Sequence, residues 1–196
     1  MFSAAHISAY VLAGGKSSRM GNDKGLMLLG GKPMVSYALQ TLQTCFESIT
    51  IISANRQYEQ FGYPVIPDAT HTPAGAAAGI YTALQHGSAQ WRLVVSCDMP
   101  FITPQGIQLL AAHATPAHEI VLATGSKGAE PLFALYAVGI LPRWQNQMEQ
   151  GVLKLQTLIA GFTCCQLPIA QNPVFAPPFF MNLNTPPDFT TAQQFL

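Results

Sequence analysis

The hydrophobic positions along this chain form short continuous runs that alternate with helix-like stripes. The runs are rich in β-branched and aromatic residues, which favour strands. They predict strands at His6–Ala13, Ser48–Ala54, Val65–Ile66, Trp91–Cys97, Glu119–Thr124, Leu132–Tyr136, Phe162–Leu167 and Phe179–Leu183. The run from Trp91 has no strict alternation of apolar and polar residues, which is typical of a strand covered on both faces.

Helical patterns occupy the segments between these runs. They predict a helix with Pro33 in its first turn and with Val35, Leu39, Leu42 and Phe46 on one face. They also predict helices over Ala76–His86, Pro104–His113, Val138–Gln150, Leu153–Ala160 and from Pro186 onward. Thr103 and Thr185 are predicted N-caps because each stands directly before a proline. Pro142 is expected to kink or delay the helix in which it lies.

This alternation of strands and helices predicts right-handed crossovers between parallel strands. We therefore predict an α/β protein with a mostly parallel sheet and helices on both faces, that is, three α/β/α layers. The length of 196 residues favours a single domain over 1–196. Ligands of such sheets bind beyond the carboxyl ends of the strands, so the residues that follow each strand are the candidates for a site.

Composition excludes several classes of protein. Apolar residues make up 49% of the chain and charged residues only 9%, which excludes a disordered protein. The formal net charge is zero, so the chain lacks the usual electrostatic footprint of a protein that binds nucleic acid or anionic membranes. No apolar run is long enough to predict a membrane span. The four cysteines include no C-x-x-C pair, and we expect a reduced, cytoplasmic protein.

The charge is unevenly distributed although its sum is zero. Residues 1–35 hold one acidic residue against four basic ones, which are Lys16, Arg19, Lys24 and Lys32. This segment therefore carries a net charge of +3, and the rest of the chain carries −3. Such a concentration of positive charge in a short segment suits the binding of a small anion.

The same segment is rich in glycine and hydroxyl groups. After the first predicted strand the chain continues as Leu12-Ala13-Gly14-Gly15-Lys16-Ser17-Ser18-Arg19-Met20-Gly21-Asn22-Asp23-Lys24. This order matches neither the P-loop pattern nor the G-x-G-x-x-G dinucleotide fingerprint. Glycines let a ligand approach the backbone, and Arg19 and Lys24 can neutralise phosphates, so the loop suits a polyphosphate. A solvated basic loop is the alternative.

The order of these residues resembles the signature L-A-G-G-x-x-x-R-M-G-x-D-K of the nucleotidyltransferases similar to molybdenum cofactor guanylyltransferase. All fixed residues of that signature occur between Leu12 and Lys24. Later motifs of the family match in order at Gly31–Pro33, Ser53–Arg56, Asp68, Val95–Pro100, Glu130–Tyr136 and Asn182–Pro186. The family's Gly-Pro-Leu-Ala-Gly turn is altered here to Gly75-Ala76-Ala77-Ala78-Gly79. The resemblance covers about the whole chain.

This resemblance implies a Rossmann-like nucleotidyltransferase fold and an enzyme that uses Mg²⁺. The implied reaction transfers GMP from GTP to the phosphate of a molybdopterin cofactor. Arg19, Lys24 and Asp98 are the implied catalytic residues, and Asp98 is the implied metal ligand; a turn cap is the alternative for Asp98. The implied partners are GTP and the molybdopterin, with cofactor-biosynthesis proteins and recipient molybdoenzymes or their chaperones beyond them.

The implied nucleotide-binding residues are Leu12, Ala13, Gly14, Gly15, Lys24, Ser53, Asn55, Asp68 and Asp98. Backbone groups at the end of the first strand would hold the base. Gly14 stands where similar cytidylyltransferases have alanine, and the missing methyl group leaves room for guanine. The side chains of Ser53, Asn55 and Asp68 would contact the base or ribose, although each also suits a turn cap.

The implied acceptor-binding residues are Arg19, Lys154, Asn182 and Asn184. Asn182 and Asn184 are two positions apart, so on an extended strand their side chains point to the same face. Glu130 is interpreted only as the start of a strand.

Two other functions stay open. The same chemistry suits a cytidylyltransferase, or a transferase that acts on another small phosphate. A non-catalytic carrier of nucleotide or cofactor is the second possibility, for which the altered turn Gly75–Gly79 leaves room. The joint presence of Arg19, Lys24 and Asp98 argues against a carrier, because binding alone does not need the whole set of metal and phosphate ligands.

Overall fold

The computed structural model describes residues 6–13, 23–69 and 75–196. Its strands are β1 (Ile7–Leu12), β2 (Leu28–Leu29), β3 (Lys32–Pro33), β4 (Ile49–Ile52), β5 (Val65–Ile66), β6 (Trp91–Ser96), β7 (Ile120–Gly125), β8 (Gly128–Ala137) and β9 (Cys164–Pro168). Seven of them form one sheet in the order β5-β4-β1-β6-β8-β7-β9, and β2 pairs with β3 in a separate hairpin.

The seven-stranded sheet is mostly parallel, as predicted. β1 pairs in parallel with β4 and β6, β4 with β5, and β7 with β9, whereas β8 runs antiparallel to its neighbours β6 and β7. Leu12 lies opposite Ile52 of β4 and Ser96 of β6. The carboxyl ends of these three strands are therefore level, and the residues that follow them meet at one edge of the sheet.

Helices cover both faces of the sheet. They are α1 (Val35–Gln43), α2 (Ala76–Gln85), α3 (Pro104–Ala112), α4 (Leu141–Glu149), α5 (Leu155–Ile159) and α6 (Pro186–Ala192). α1 and α3 contribute Leu39 and Ile107 to the core on one face, and α4 and α5 contribute Trp144 and Leu158 to the core on the other. The three-layer prediction is confirmed. Within the described ranges, none of these helices has the length and apolar character needed to cross a membrane.

The helix starts predicted at Pro104 and Pro186 are confirmed. The Thr103 hydroxyl accepts a hydrogen bond from the N–H of Gly106 at 3.2 Å, so Thr103 caps α3. Thr185 is extended and stands directly before α6. A 3₁₀ turn over Val138–Ile140 precedes α4, which puts Pro142 in the first turn of that helix. The delay expected from Pro142 is therefore present.

The predicted strand over Phe179–Leu183 is wrong. Residues 177–180 form a turn, and 181–184 have no regular structure. The Phe179 ring lies 5.0 Å from the ring of Phe133 and 5.2 Å from that of Phe175, measured between centroids. This apolar run is thus buried through aromatic packing rather than through strand pairing, which hydrophobicity alone does not distinguish. Asn182 and Asn184 therefore do not lie on a strand.

The segment predicted as a loop before α1 contains the β2–β3 hairpin. Gly30 and Gly31 connect its strands with φ of 55° and 79°, a left-handed conformation that favours glycine. Pro33 is therefore part of β3 instead of the first turn of α1, which begins at Val35. A 3₁₀ helix over Arg56–Phe61 follows β4 at a place where the sequence predicts no element. β8 begins at Gly128, four residues before its predicted start.

Candidate active site

The candidate site lies where β1, β4 and β6 end. The Leu12 carbonyl accepts a hydrogen bond from the N–H of Cys97, and the Ala13 N–H donates to the Ile52 carbonyl, both at 3.0 Å. These two backbone groups, which the resemblance assigns to the base, thus also hold the strand ends together. Gly14, Gly15 and Arg19 lie outside the described residues, as does Lys16.

Asp98 is the second residue after β6 and is half-buried. Its backbone carbonyl accepts a hydrogen bond from the N–H of Leu183 at 3.1 Å, which brings the C-terminal segment to the site. Within the described ranges its carboxylate has no hydrogen bond or ion pair, and Thr103 supplies the cap of α3 instead. A carboxylate of this kind at a strand end suits a hard divalent cation.

Asp23 and Lys24 lie at the start of a 3₁₀ helix over Lys24–Leu26. A Cβ atom on Gly25 of this helix would lie 3.2 Å from Sγ of Cys97, the residue before Asp98. The Asp23 carboxylate accepts hydrogen bonds from the N–H of Gly25 at 3.2 Å and from Asn55 Nδ2 at 3.0 Å. It also accepts one from the Tyr58 hydroxyl. These bonds make Asp23 the cap of the short helix and a link to the segment after β4.

Lys24 is half-buried, and its ammonium donates a hydrogen bond to Asn184 Oδ1 at 2.5 Å. The structure thus joins a residue predicted for the triphosphate to one predicted for the acceptor. Asn184 is held in turn, because its N–H donates to Asp188 Oδ2 at 2.8 Å. The N–H groups of Asn184 and Thr185, the Thr185 hydroxyl and the charge of Lys24 lower the pKa of Asp188.

Ser53 and Asn55 follow β4, and their side-chain oxygens accept hydrogen bonds from nearby backbone N–H groups. Ser53 Oγ accepts a hydrogen bond from the N–H of Asn55 at 3.1 Å, and Asn55 Oδ1 accepts one from the N–H of Gln57 at 3.0 Å. Asn55 therefore caps the 3₁₀ helix that follows, which is the alternative that the sequence left open. Contact of either residue with a nucleotide stays a prediction.

Asp68 follows β5 at the same edge of the sheet, largely exposed. The neighbouring Ala69 N–H donates to the Thr82 hydroxyl of α2 at 2.8 Å, which ties the segment to that helix. Partial burial of the Asp68 carboxyl raises its pKa. Its contact with the nucleoside stays a prediction.

The two glycines that the altered turn keeps have different structural reasons. Gly75 has φ of 56°, a left-handed conformation from which α2 starts. A Cβ atom on Gly79 would lie 2.9 Å from Cδ2 of Leu12, closer than side chains normally approach. Close packing between α2 and the end of β1 therefore depends on Gly79, while the substituted positions between the glycines tolerate alanine.

Lys154 and Asn182 are not joined to this cluster by polar contacts. Lys154 is exposed and directly precedes α5, and no hydrogen bond or ion pair links it to Lys24 or Asp98 in the part of the chain that the structure describes. Asn182 is exposed next to buried Leu183. Their acceptor-binding roles stay predictions.

Two residues that the sequence analysis missed complete the floor of the site. Tyr58 is fully buried and reaches Asp23, and Cys97 lies under Gly25. Burial and the carboxylates of Asp98 and Asp23 raise the pKa of the Cys97 thiol, so it stays protonated and is not a nucleophile. No pattern marked Tyr58, because its apolar position in the sequence also suits an ordinary core residue.

Comparisons with known proteins identify the family of this chain. A family model described as the MobA-like NTP transferase domain matches residues 9–162, most of the chain. The chain belongs to the MobA-like NTP transferase family. The predicted family is thereby confirmed, and this MobA-like NTP transferase is a nucleotidyltransferase, as the sequence led us to expect.

Individual relatives extend the likeness beyond the family model. A probable molybdenum cofactor guanylyltransferase of Flavobacterium johnsoniae is 37% identical over 155 residues, which cover 79% of this chain and 80% of the relative. The molybdenum cofactor guanylyltransferase of Vibrio vulnificus is 33% identical over 184 residues, 92% of this chain and 91% of the relative. The crystal structure of molybdopterin-guanine dinucleotide biosynthesis protein A from Archaeoglobus fulgidus has the same fold, with a TM-score of 0.82, 24% identity and coverage of 96% and 97%.

Proposed function

We propose that this MobA-like NTP transferase transfers GMP from GTP to the phosphate of a molybdopterin cofactor, giving the guanine dinucleotide form of the cofactor and pyrophosphate. The observation that carries the proposal is the meeting of Lys24, Asp98 and Asn184 at one edge of the sheet. Relatives that are at least 33% identical over most of their length and are named molybdenum cofactor guanylyltransferase support the choice of substrates.

Asp98 is the residue that would hold Mg²⁺. Mg²⁺ sites in proteins commonly use one or two carboxylates together with substrate phosphates, so a single half-buried carboxylate without a partner in the described part of the chain fits this ion. When bound, Mg²⁺ offsets the negative charge that develops on the phosphates during transfer. Asp98 would also orient the donor phosphates through that ion.

Lys24 stabilises the leaving pyrophosphate. Its ammonium exchanges the neutral Asn184 oxygen for a phosphate oxygen, and a bond to a charged acceptor is the stronger of the two. The acceptor phosphate oxygen then attacks the α-phosphorus of GTP in line. The bond between the α-phosphorus and the oxygen that bridges it to the β-phosphorus breaks, and pyrophosphate leaves. Because that acceptor oxygen is already ionised near neutral pH, the site needs no strong general base. Arg19 is proposed to assist at the phosphates.

The remaining predicted residues divide between the two substrates. On the donor side, we assign Leu12, Ala13, Gly14, Gly15, Ser53, Asn55 and Asp68 to the nucleoside. On the acceptor side, we assign Asn182, Asn184, Lys154 and Arg19 to the phosphorylated pterin. Support for the donor side comes from the level ends of β1 and β4, and support for the acceptor side from the contact of the C-terminal segment with Asp98.

We further propose that the whole chain acts as one domain in the cytoplasm. The bonds from Leu183 to Asp98 and from Lys24 to Asn184 connect the C-terminal segment to the sheet, and the four cysteines are unpaired, as in a reducing compartment. Cofactor-biosynthesis proteins and recipient molybdoenzymes or their chaperones are the proposed protein partners.

Pyrophosphate release tests the function directly. The protein is mixed with Mg²⁺, molybdopterin and, in turn, GTP, CTP, UTP or ATP, and we expect turnover with GTP. Asp98→Ala and Lys24→Ala should each lower turnover by about 100-fold or more, because each removes charge stabilisation of the transition state. Glu149→Ala, at the exposed end of α4, is the matched control. Turnover with CTP alone would assign a cytidylyltransferase, and tight GTP binding without pyrophosphate release would assign a carrier.

A further inference from the structure

Tyr58 makes a contact that ordinary core packing does not require. Its side chain is fully buried, yet its hydroxyl donates a hydrogen bond to the carboxylate of Asp23. Its ring packs against Phe61 with 6.1 Å between centroids, so the 3₁₀ helix after β4 fixes the position of the hydroxyl. A buried hydroxyl aimed at a carboxylate directly before Lys24 marks Tyr58 as a candidate for a role in the site.

The Asp23 carboxylate controls the backbone at Lys24. Asp23 caps the short 3₁₀ helix whose first residue is Lys24, with the N–H of Gly25 as one of its donors. A Cβ atom on Gly25 would collide with the Tyr58 hydroxyl and lie 3.2 Å from Cys97 Sγ. The start of this helix is thus seated against Tyr58, and a shift of the Asp23 carboxylate would move Lys24.

The donors to Asp23 in the described part of the chain are neutral. They are the Tyr58 hydroxyl, the Asn55 amide and the Gly25 N–H, and both side chains come from the segment after β4. Because Asp23 directly precedes Lys24, these three bonds also fix the backbone from which the Lys24 side chain extends.

We propose that Tyr58 is a positioning residue that sets the place of Lys24 at the triphosphate by holding the carboxylate of Asp23. The proposal rests on the proposed function, because it assigns Tyr58 a role through a lysine that acts on the phosphates of GTP. Burial, and after it Cys97 and Asp23, raise the pKa of Tyr58 above its ordinary value, so the hydroxyl keeps its proton near neutral pH.

A double-mutant cycle between Tyr58→Phe and Lys24→Ala tests the proposal. Tyr58→Phe removes the hydroxyl and keeps the buried ring. In the wild-type background we expect kcat for pyrophosphate release to fall between about 10-fold and 100-fold, the loss typical of a misplaced catalytic group. In the Lys24→Ala background the same change should alter kcat by less than about twofold, because the residue on which Tyr58 acts is already gone.

Tyr10→Phe is the matched control. Tyr10 is also buried, and its hydroxyl donates to the His86 carbonyl at 2.8 Å, beyond the C-terminal end of α2. We expect this variant to keep kcat within about twofold of wild type while it loses a buried hydroxyl as Tyr58→Phe does. Thermal unfolding midpoints of both variants show whether a loss of kcat comes from a loss of folded protein or from a displaced Lys24.

The outcomes distinguish Tyr58 from the proposed function itself. Equal losses in both backgrounds, or no loss in the wild-type background, would overturn the positioning role. If wild-type protein releases no pyrophosphate from GTP, the proposed function fails. The same double-mutant cycle is then measured on dissociation constants for MgGTP. Coupling between Tyr58 and Lys24 in those constants still supports the role of Tyr58, and additivity overturns it. If wild-type protein binds no MgGTP, both proposals are overturned.

Discussion

The Lys24 ammonium and Asn184 Oδ1, which lie 160 positions apart in the chain, are joined by a hydrogen bond of 2.5 Å. This bond closes the candidate site between the segment after β1 and the C-terminal segment before α6. It also gives Lys24 an uncharged partner that a triphosphate can displace. Binding of GTP would then release the Asn184 amide for the acceptor, while Asp188 continues to hold the Asn184 backbone.

Two substitutions at Asn184 should have different effects on GTP binding. Asn184→Ala removes a neutral competitor for Lys24, so we expect the dissociation constant for MgGTP to change by less than about threefold and KM for the acceptor to rise about tenfold. Asn184→Asp puts a carboxylate next to the ammonium and should weaken MgGTP binding by about tenfold. Calorimetry with MgGTP measures both, and equal effects of the two variants would contradict the exchange of partners at Lys24.

Gly79→Ala should destabilise the protein by overpacking. The new methyl group would lie 2.9 Å from Leu12 Cδ2, so α2 or the end of β1 must move, at a cost of about 1–3 kcal/mol. Urea unfolding measures this difference, and KM for GTP should rise in parallel because Leu12 ends the strand at the site. Gly139→Ala, where no atom lies within 4 Å of the new Cβ, is the matched control. If Gly79→Ala were as stable as wild type, the neighbouring Leu12 side chain would have moved aside at no cost, and the prediction would be wrong.

Arg92 is expected to be the arginine on which the fold depends most. The residue is 1% exposed, and its guanidinium donates to the carbonyls of Ala83 at 2.8 Å and Gly87 at 3.0 Å, and also to that of Ala89. Arg92→Leu removes the guanidinium donor from all three carbonyls, of which that of Ala83 still accepts the His86 N–H at 3.3 Å, and should lower the free energy of unfolding by about 2–4 kcal/mol. Arg56→Leu, which removes an exposed ion pair with Glu59, should leave unfolding unchanged in the same urea titration.

Glu119 should make stability depend on acidic pH. The N–H of Thr163, and after it Arg143, lowers the pKa of Glu119 below its ordinary value of 4.5. Because the folded state favours the ionised form, this stabilisation is present above the ordinary pKa and is lost as pH falls through the lower, folded value. Glu119→Gln should therefore be less stable than wild type at neutral pH, and the difference should shrink as pH falls below the ordinary pKa of 4.5.

Urea titrations across this pH range check the prediction for Glu119. Glu149→Gln is the control, since Glu149 lies on the exposed end of α4 and accepts its hydrogen bond from Gln145 rather than from a backbone N–H or a cation. A difference for Glu119→Gln that stays constant down to pH 3 would assign the effect to packing instead of to ionisation.

Most of the strands and helix caps were predictable because the sequence patterns that mark them involve residues close together in the chain. Continuous apolar runs mark the central strands, and residues that follow such runs reach the carboxyl edge of the sheet whatever the details of packing. Asp98 after β6 and Asp68 after β5 were found in this way. Thr103 and Thr185 were also predictable, since capping depends on the few residues that follow each of them.

By itself, then, the sequence determined the class of fold, the family, and the edge of the sheet at which we propose that the chemistry takes place. Only the tertiary structure decided that Phe179–Leu183 does not form a strand, that Tyr58 holds Asp23 from 35 positions away, and that Asn184 meets Lys24. The physical reason is the separation along the chain of the residues that interact. Periodicity and capping depend on neighbours within one or two turns of chain, whereas these contacts depend on how separate segments fill the same space.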